Sequence, residues 1–329
     1  MHECLYYDVE GASVRCGLCP FHCSIADNKT GRCRARRARG GKLYSLNYGE
    51  IASAGLDPIE KKPLYHFHPG SLVLSVGSFG CNLTCQFCQN WSISQGQPST
   101  QFMSPQELVA IAQEKRAAGN IGIAYTYNEP MIWFEYVLDT ARLAREQGLV
   151  NVLVTNGIVE EEPLRELLPY VDAMNVDIKS IREDFYRRLC GGDGKAARRT
   201  VELASAGCLV EITNLIIPGE NDSDRDLIDL FDWAASVSRR LPVHLSRYHP
   251  AYRFDAPPTP ADTLRRAHQL ARERLDFVYV GNIHMSGTTD TRCPACDEVV
   301  VERGGACGTT VRCGEGRCPG CGEDLGIVT

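Results

Sequence analysis

A chain of 329 residues with 43% hydrophobic and 23% charged side chains has the make-up of an ordinary globular protein, which excludes disorder along its whole length. Its net charge of −6 is too mild to mark a nucleic-acid or membrane surface, and no apolar run approaches the roughly 18 residues of a membrane helix. The length suits about two domains of roughly 150 residues each.

Residues 1–68 are rich in Cys, Gly, Arg and Pro and carry little periodicity, as expected of a small lobe stapled by metal. Within it, Cys16-x2-Cys19-x3-Cys23-x9-Cys33 offers enough ligands for one metal, with zinc the first expectation and an auxiliary iron–sulfur cluster the second. Disulfides rank last. The start Met1-His2-Glu3-Cys4 lacks the basic and apolar regions of a signal peptide, so a cytoplasmic location with reduced thiols is the expectation. The run Arg32, Arg34, Arg36, Arg37, Arg39 and Lys42 reads as a solvated basic face.

From 69 to 287 the pattern alternates. Strands are predicted at 72–78, 121–127, 151–155, 172–178, 208–217, 243–248 and 277–280. Helices are predicted between them, at 131–147, 159–168, 222–240 and 260–274, with short ones around 181–206. Ser104-Pro105-Gln106-Glu107 is a capping box with Pro at the first helical position, and Gly119 is a stop. Such alternation specifies a mostly parallel α/β sheet, which right-handed crossovers wrap into a full or partial (β/α) barrel. A doubly wound open sheet is the rival. Residues 288–329 form a compact Cys/Gly region. There Cys293-x2-Cys296 and Cys318-x2-Cys321 make two knuckles 21 residues apart, the spacing of a zinc-ribbon-like site, with an iron site of rubredoxin type as the lesser choice. Cys307 and Cys313 are extra.

Cysteine is the anomaly of the composition, at 16 residues, and its most informative group is central. Cys81-x3-Cys85-x2-Cys88 follows directly on the first strand of the alternating region, and in barrels that strand end is where active sites are built. Iron–sulfur cubanes are normally held by four thiolates, so three leave one iron open to a substrate or cofactor. The same three thiols also serve as three of four zinc ligands, or as buried strand-end cysteines.

Cys81-x3-Cys85-x-Phe87-Cys88 after the first strand resembles the signature of the radical S-adenosylmethionine (SAM) superfamily. More narrowly, residues 58–67 and 80–90 resemble enzymes related to the pyruvate formate-lyase activating enzyme, above all the AmmeMemoRadiSam-system subgroup. The resemblance implies a radical SAM-type partial barrel. It implies a 4Fe-4S cluster on Cys81, Cys85 and Cys88 that binds S-adenosyl-L-methionine at its open iron. One-electron reduction then yields methionine and a 5′-deoxyadenosyl radical that abstracts hydrogen from a substrate. It further implies a strong one-electron donor such as a flavodoxin or ferredoxin, and a protein substrate or AmmeMemo-system partner. Radical modification of a small molecule or RNA base, and aminocarboxypropyl transfer, are enzymatic alternatives; a non-catalytic multi-zinc binding module is the other.

Cofactor contacts carry over residue by residue. Phe87 is the aromatic of the signature. Glu129, in Tyr127-Asn128-Glu129-Pro130, matches the acid of a Gly-Gly-Glu-Pro segment that meets the methionine amine, although the two glycines are replaced. Asn156 lies in a matching Thr-Asn-Gly, and Asp177 and Lys179 in a counterpart of Asp-Leu-Lys, with Lys179 facing the methionine carboxylate. Val154 replaces an acid that serves a bound cation in relatives, so no cation is expected. His244 matches a histidine near the adenosine, and residues 216–222 a segment that passes the adenine.

Overall fold

Each predicted run of the alternating region is rich in Val, Ile and Leu, and each forms a strand. The computed structural model describes residues 1–304 and 308–329, so Cys307 lies outside the described residues. The main sheet has eight strands: β1 (Ser53–Pro58), β2 (Leu72–Gly77), β3 (Asn120–Tyr125), β4 (Val150–Thr155), β5 (Ala173–Asp177), β6 (Leu209–Ile216), β7 (Val243–Arg247) and β8 (Val278–Gly281). Their spatial order is their chain order. β2 to β8 are parallel throughout, and β1 pairs antiparallel with β2. A doubly wound sheet reverses its order partway; this one never does, which leaves a partial barrel whose edges β1 and β8 are not paired to each other.

Helices α1 (Pro105–Glu114), α2 (Phe134–Glu146), α3 (Glu161–Leu167), α4 (Lys195–Ala204), α5 (Asp224–Val237) and α6 (Ala261–Arg272) fill the successive crossovers. The sheet is covered on its outer side, so its strands are buried on both faces, as Val152 and Leu153 of β4 show. The capping box holds. Ser104 Oγ accepts from Glu107 N at 3.3 Å, and the Glu107 carboxylate accepts from Ser104 N at 2.7 Å. Gly119 ends the following turn at φ +91°, a left-handed conformation that glycine adopts without strain.

The eighth strand was not legible. Ser53-Ala54-Gly55-Leu56-Asp57-Pro58 has no β-branched residue and ends in proline, a sequence tolerated at a sheet edge. It belongs to the main sheet, so the sheet extends upstream of residue 68. The rest of the N-terminal lobe contains two small antiparallel sheets of three strands each, and Glu50–Ile51 pairs with Gln101–Phe102. The lobe is keyed to the barrel by Arg36, whose Nη2 lies 2.8 Å from both carboxylate oxygens of Glu135 on α2. The basic run is therefore only partly a solvated face. Arg37 and Arg39 are exposed, but strand alternation turns Arg36 inward, where it is 1% exposed.

The floor of the barrel is closed by the chain itself. Asn175, Glu211, His244 and Tyr279 project on the same face as the residues of the cleft above, one layer nearer the strand starts. Residues 63–67 lie against them. Asn175 Nδ2 donates to the Pro63 carbonyl at 2.8 Å, His66 N donates to Glu211 Oε1 at 2.7 Å, and His66 Nε2 is 2.7 Å from the Tyr279 hydroxyl. The Tyr65 ring meets His244 edge-on at 4.7 Å. Behind it, the C-terminal region forms a three-stranded antiparallel sheet with its own small core. Arg303 from that sheet lies over the Tyr65 ring at 4.1 Å and donates to the Tyr65 carbonyl at 2.6 Å, while His68 N donates to the Val328 carbonyl and Val328 N to that of His66. Among the described residues, no helix is long and apolar enough to cross a membrane.

Candidate active site

The three central cysteines lie on the loop that leaves β2, and they line a cleft of about 280 Å³ at the carboxyl ends of the strands. Gly80 makes the loop feasible. Its φ is +85°, and a Cβ there would stand 2.5 Å from the carbonyl oxygen of Cys33. Cys81 Sγ accepts from Leu83 N at 3.4 Å and from Asn156 Nδ2 at 3.6 Å, and Cys88 Sγ lies 3.2 Å from Ser94 Oγ. Burial pushes the Cys81 and Cys88 thiols up. The neighbouring Cys190 thiol, with Lys179, draws Cys85 below its ordinary value against the effect of burial.

Each following strand contributes at its end. After β3, the backbone turns at Tyr127 with φ +71°, the conformation that glycine would supply. The two expected glycine positions therefore keep the glycine-like turn with other side chains. Tyr127 directs its hydroxyl away, to Asp57 Oδ2 at 2.7 Å, and Asn128 ties the loop by donating to the Gly80 carbonyl at 3.1 Å. Glu129 is 2% exposed. Its carboxylate accepts from Met131 N at 2.9 Å, Thr155 Oγ1 at 2.6 Å and Asn156 N at 2.8 Å. It thus caps the turn before α2 and lines the cleft at once. Burial nevertheless raises its pKa to about 7, against those three bonds.

Asn156 holds the cysteine loop: besides Cys81 it donates to Asn82 Oδ1 at 2.9 Å. At the end of β5, Lys179 Nζ lies 3.0 Å from Asp177 Oδ2. Burial acts to lower the lysine, but Asp177 and the nearby Cys85 prevail and raise it well above its ordinary value. Phe87 is buried against Phe185 and Phe254 and walls the cleft.

Phe87, Glu129, Asn156, Asp177 and Lys179 thus converge with the three cysteines on one cleft. His244 does not. It lies one layer down, with Nε2 2.6 Å from Glu211 Oε2, and does not line the cleft. Two residues farther along the same face of β7, Ser246 does, and Asn282 donates to its hydroxyl at 2.8 Å. Both were missed, although a strand period of two places Ser246 directly above His244. Of residues 216–222, Asn221 matters as a tie: it donates to the carbonyls of Lys179 and Leu215. Val154 lines the cleft.

The other cysteines fall into two arrangements. Cys293, Cys296, Cys318 and Cys321 bring their sulfurs within 4.8 Å of one another, the spacing of ligands around a single ion. Cys16, Cys19, Cys23 and Cys33 surround one small pocket in the N-terminal lobe without closing to that spacing. All fifteen cysteines among the described residues are free of disulfides.

The Radical SAM superfamily matches residues 75–231. An uncharacterized protein of Methanocaldococcus jannaschii is 41% identical over 338 residues, covering 100% of this chain and 100% of that protein. The pyruvate formate-lyase 1-activating enzyme of Escherichia coli (strain K12) is 26% identical over 179 residues, 52% of this chain and 71% of that enzyme. Streptococcus suis SuiB, solved bound to S-adenosylmethionine, shares the fold with a TM-score of 0.53 at 14% identity, over 69% of this chain and 53% of that one. A three-cysteine loop after the first parallel strand, at the mouth of a partial barrel, fits the superfamily's cluster and cofactor. The chain belongs to the radical SAM superfamily, as a relative of the pyruvate formate-lyase activating enzymes.

Proposed function

We propose that this enzyme abstracts hydrogen from a residue of a partner protein, in the manner of an activating enzyme, with electrons from a flavodoxin- or ferredoxin-type donor. The observation that carries the reading is the convergence of Cys81, Cys85 and Cys88 with a buried acid, Glu129, and a buried cation, Lys179, in one cleft at the strand ends. A 4Fe-4S cluster with bound S-adenosylmethionine supplies reductive cleavage of a sulfonium. The chain's own residues bind, orient and shield. Glu129, held near neutrality by burial, gains its charge when an ammonium group enters, so it reads the amine of an amino acid. Lys179 offers a compact cation to the matching carboxylate. Phe87 and the closed floor keep water from the far side of the cleft.

A macromolecular substrate suits the architecture, because the cleft opens at the strand ends and the exposed Trp91, stacked on Tyr252 at 5.3 Å, follows directly on Asn90 of its lining. The AmmeMemo-system subgroup supplies the candidate partners. The C-terminal quartet is read as a zinc site, and the abundance of free thiols accords with the cytoplasm. Anaerobic protein supplied with dithionite and S-adenosylmethionine is expected to release methionine and 5′-deoxyadenosine, and Cys85→Ala to abolish that release while the protein stays folded. Methylthioadenosine as the product would instead establish aminocarboxypropyl transfer. A colourless protein carrying only zinc would overturn the radical reading.

A further inference from the structure

The central cysteine loop has a second side that the cleft does not use. Thr84 is exposed, although the next residue, Cys85, is buried. A strip of backbone runs along this side: Thr84 N donates to the Cys190 carbonyl at 2.8 Å and Gln86 N to the Leu189 carbonyl at 2.9 Å. Gly191 and Gly192 continue the strip and line a groove of about 400 Å³. Glycine is needed at 191, where φ is +69° and a Cβ would stand 2.5 Å from Thr84 Oγ1. Under the groove, the loop that carries Cys85 is thus covered by residues without side chains.

Charge sets this groove apart. The chain as a whole carries −6, yet Arg32 and Arg187 line the groove and both are exposed. Arg32 lies over the Phe21 ring at 4.4 Å, with Nε donating to the Asn82 carbonyl at 2.9 Å and Nη2 to that of Gly191. Neutral acceptors hold it in place and leave its charge uncompensated. Among the described residues, Arg188 is paired with Glu220, whereas Arg32 and Arg187 have no carboxylate partner. The acid of the lining, Asp193, accepts from Lys195 N at 2.7 Å at the start of α4. The rest of the bed is apolar, from Pro20, Phe21 and Ile158.

Electron transfer weakens steeply with distance, so a carrier has to bring its redox group close to the ligands of the central site. On the radical reading, cofactor and substrate fill the cleft. Among the described residues, groove and cleft have no lining residue in common. A partner seated on the groove therefore approaches the Cys85 loop without displacing either. Electron-transfer encounters are small and weak, and charge steers them. Two uncompensated guanidiniums beside a small apolar bed complement a carrier with an acidic rim and a flat, partly apolar redox group such as a flavin.

We propose that an acidic carrier protein of flavodoxin type docks on the groove of Phe21, Arg32, Ile158 and Arg187 and passes its electron to the central site by way of residues 190–191 and Cys85. One electron leaves the reduced flavin of the carrier, which is oxidised by one electron, and enters the cluster; no covalent bond forms or breaks. This docking rests on the radical reading for the presence of a reducible cluster.

Mixing pre-reduced flavodoxin with anaerobic, cluster-loaded full-length protein tests it, with cluster absorbance followed in time and the Kd of oxidised flavodoxin measured by calorimetry. Arg187→Glu is expected to slow reduction and weaken binding on the order of tenfold at low salt, and to flatten the salt dependence of both. Iron content and melting temperature should not change, since the Arg187 side chain is exposed and unpaired. Arg312→Glu, the same charge reversal on the C-terminal sheet, should leave reduction and binding as they were. Dithionite needs no docking surface and should reduce all three proteins alike, with equal release of 5′-deoxyadenosine. No binding to the unmodified protein, an unchanged Arg187→Glu, or equal slowing by Arg312→Glu would overturn the groove. So would a Kd for flavodoxin that rises when S-adenosylmethionine saturates the cleft. Failure of the radical reading alone would appear as a cluster that flavodoxin reduces normally but that cleaves no S-adenosylmethionine with either reductant.

Discussion

Glu129 holds its proton to about 7 in the folded chain, against an ordinary value of 4.5, because burial outweighs three hydrogen bonds. Between those values the fold binds more protons than the unfolded chain does. The residue's contribution to stability is therefore fully present below about 4.5 and lost as pH rises through about 7, a loss on the order of 3 kcal/mol. Metal-free protein should accordingly lose melting temperature between about pH 5 and about pH 8, and Glu129→Gln should flatten that slope. A slope identical in both proteins would show that the carboxylate is not strained. At this scale, the site was legible wherever its chemistry is written in contiguous residues: the three cysteines, Glu129, Asn156, Asp177 and Lys179. It was not legible at Ser246 and Asn282, whose common surroundings exist only once β7 and β8 lie side by side. His244 was misplaced by one layer, since type alone does not say how high along a strand a side chain stands.

Helices and strands were easier to foresee than their neighbours in space. Every parallel strand announced itself by apolar runs between helical patterns, and α1 by its capping box. Removing that cap in Ser104→Ala should cost about 1 kcal/mol in denaturant unfolding, with the cleft unaffected. β1 stayed hidden because its pairing, not its composition, makes it a strand. Gly80 shows the reverse case, in which a single position joins two units. Gly80→Ala would force a non-glycine residue to φ +85° and push a methyl group against the Cys33 carbonyl. We expect it to cost about 1–3 kcal/mol and to lower iron content as well as melting temperature. Normal iron with only reduced stability would separate the loop's shape from its loading.

Buried contacts tie the N-terminal lobe to the barrel, and the two share one hydrophobic core. The Arg36–Glu135 pair is almost wholly desolvated, and Glu135→Ala would leave the guanidinium uncompensated. The expected loss is about 3–5 kcal/mol in chemical unfolding, far above that of the exposed Arg165–Glu161 pair, which should be worth less than about 1 kcal/mol. At the other end, on the zinc reading proposed above, Cys318→Ala should release the metal and lower thermal stability. Because Arg303 rides on that small domain and clamps Tyr65, limited proteolysis should then cut near residues 59–68, whereas the central cluster should persist. Loss of the central cluster in that variant would show a wider dependence.

The polar floor built from Pro63, Tyr65 and His66 over Glu211 and His244 closes the barrel at the strand starts, so the cleft is reached from the strand ends. With the large partner proposed above, traffic would be last in, first out. A small ligand seated deep has to enter before a bulky one covers the mouth, and its fragments can depart only after the bulky one has lifted away. Turnover becomes compulsory in sequence, and a large partner that lingers would hold spent fragments inside.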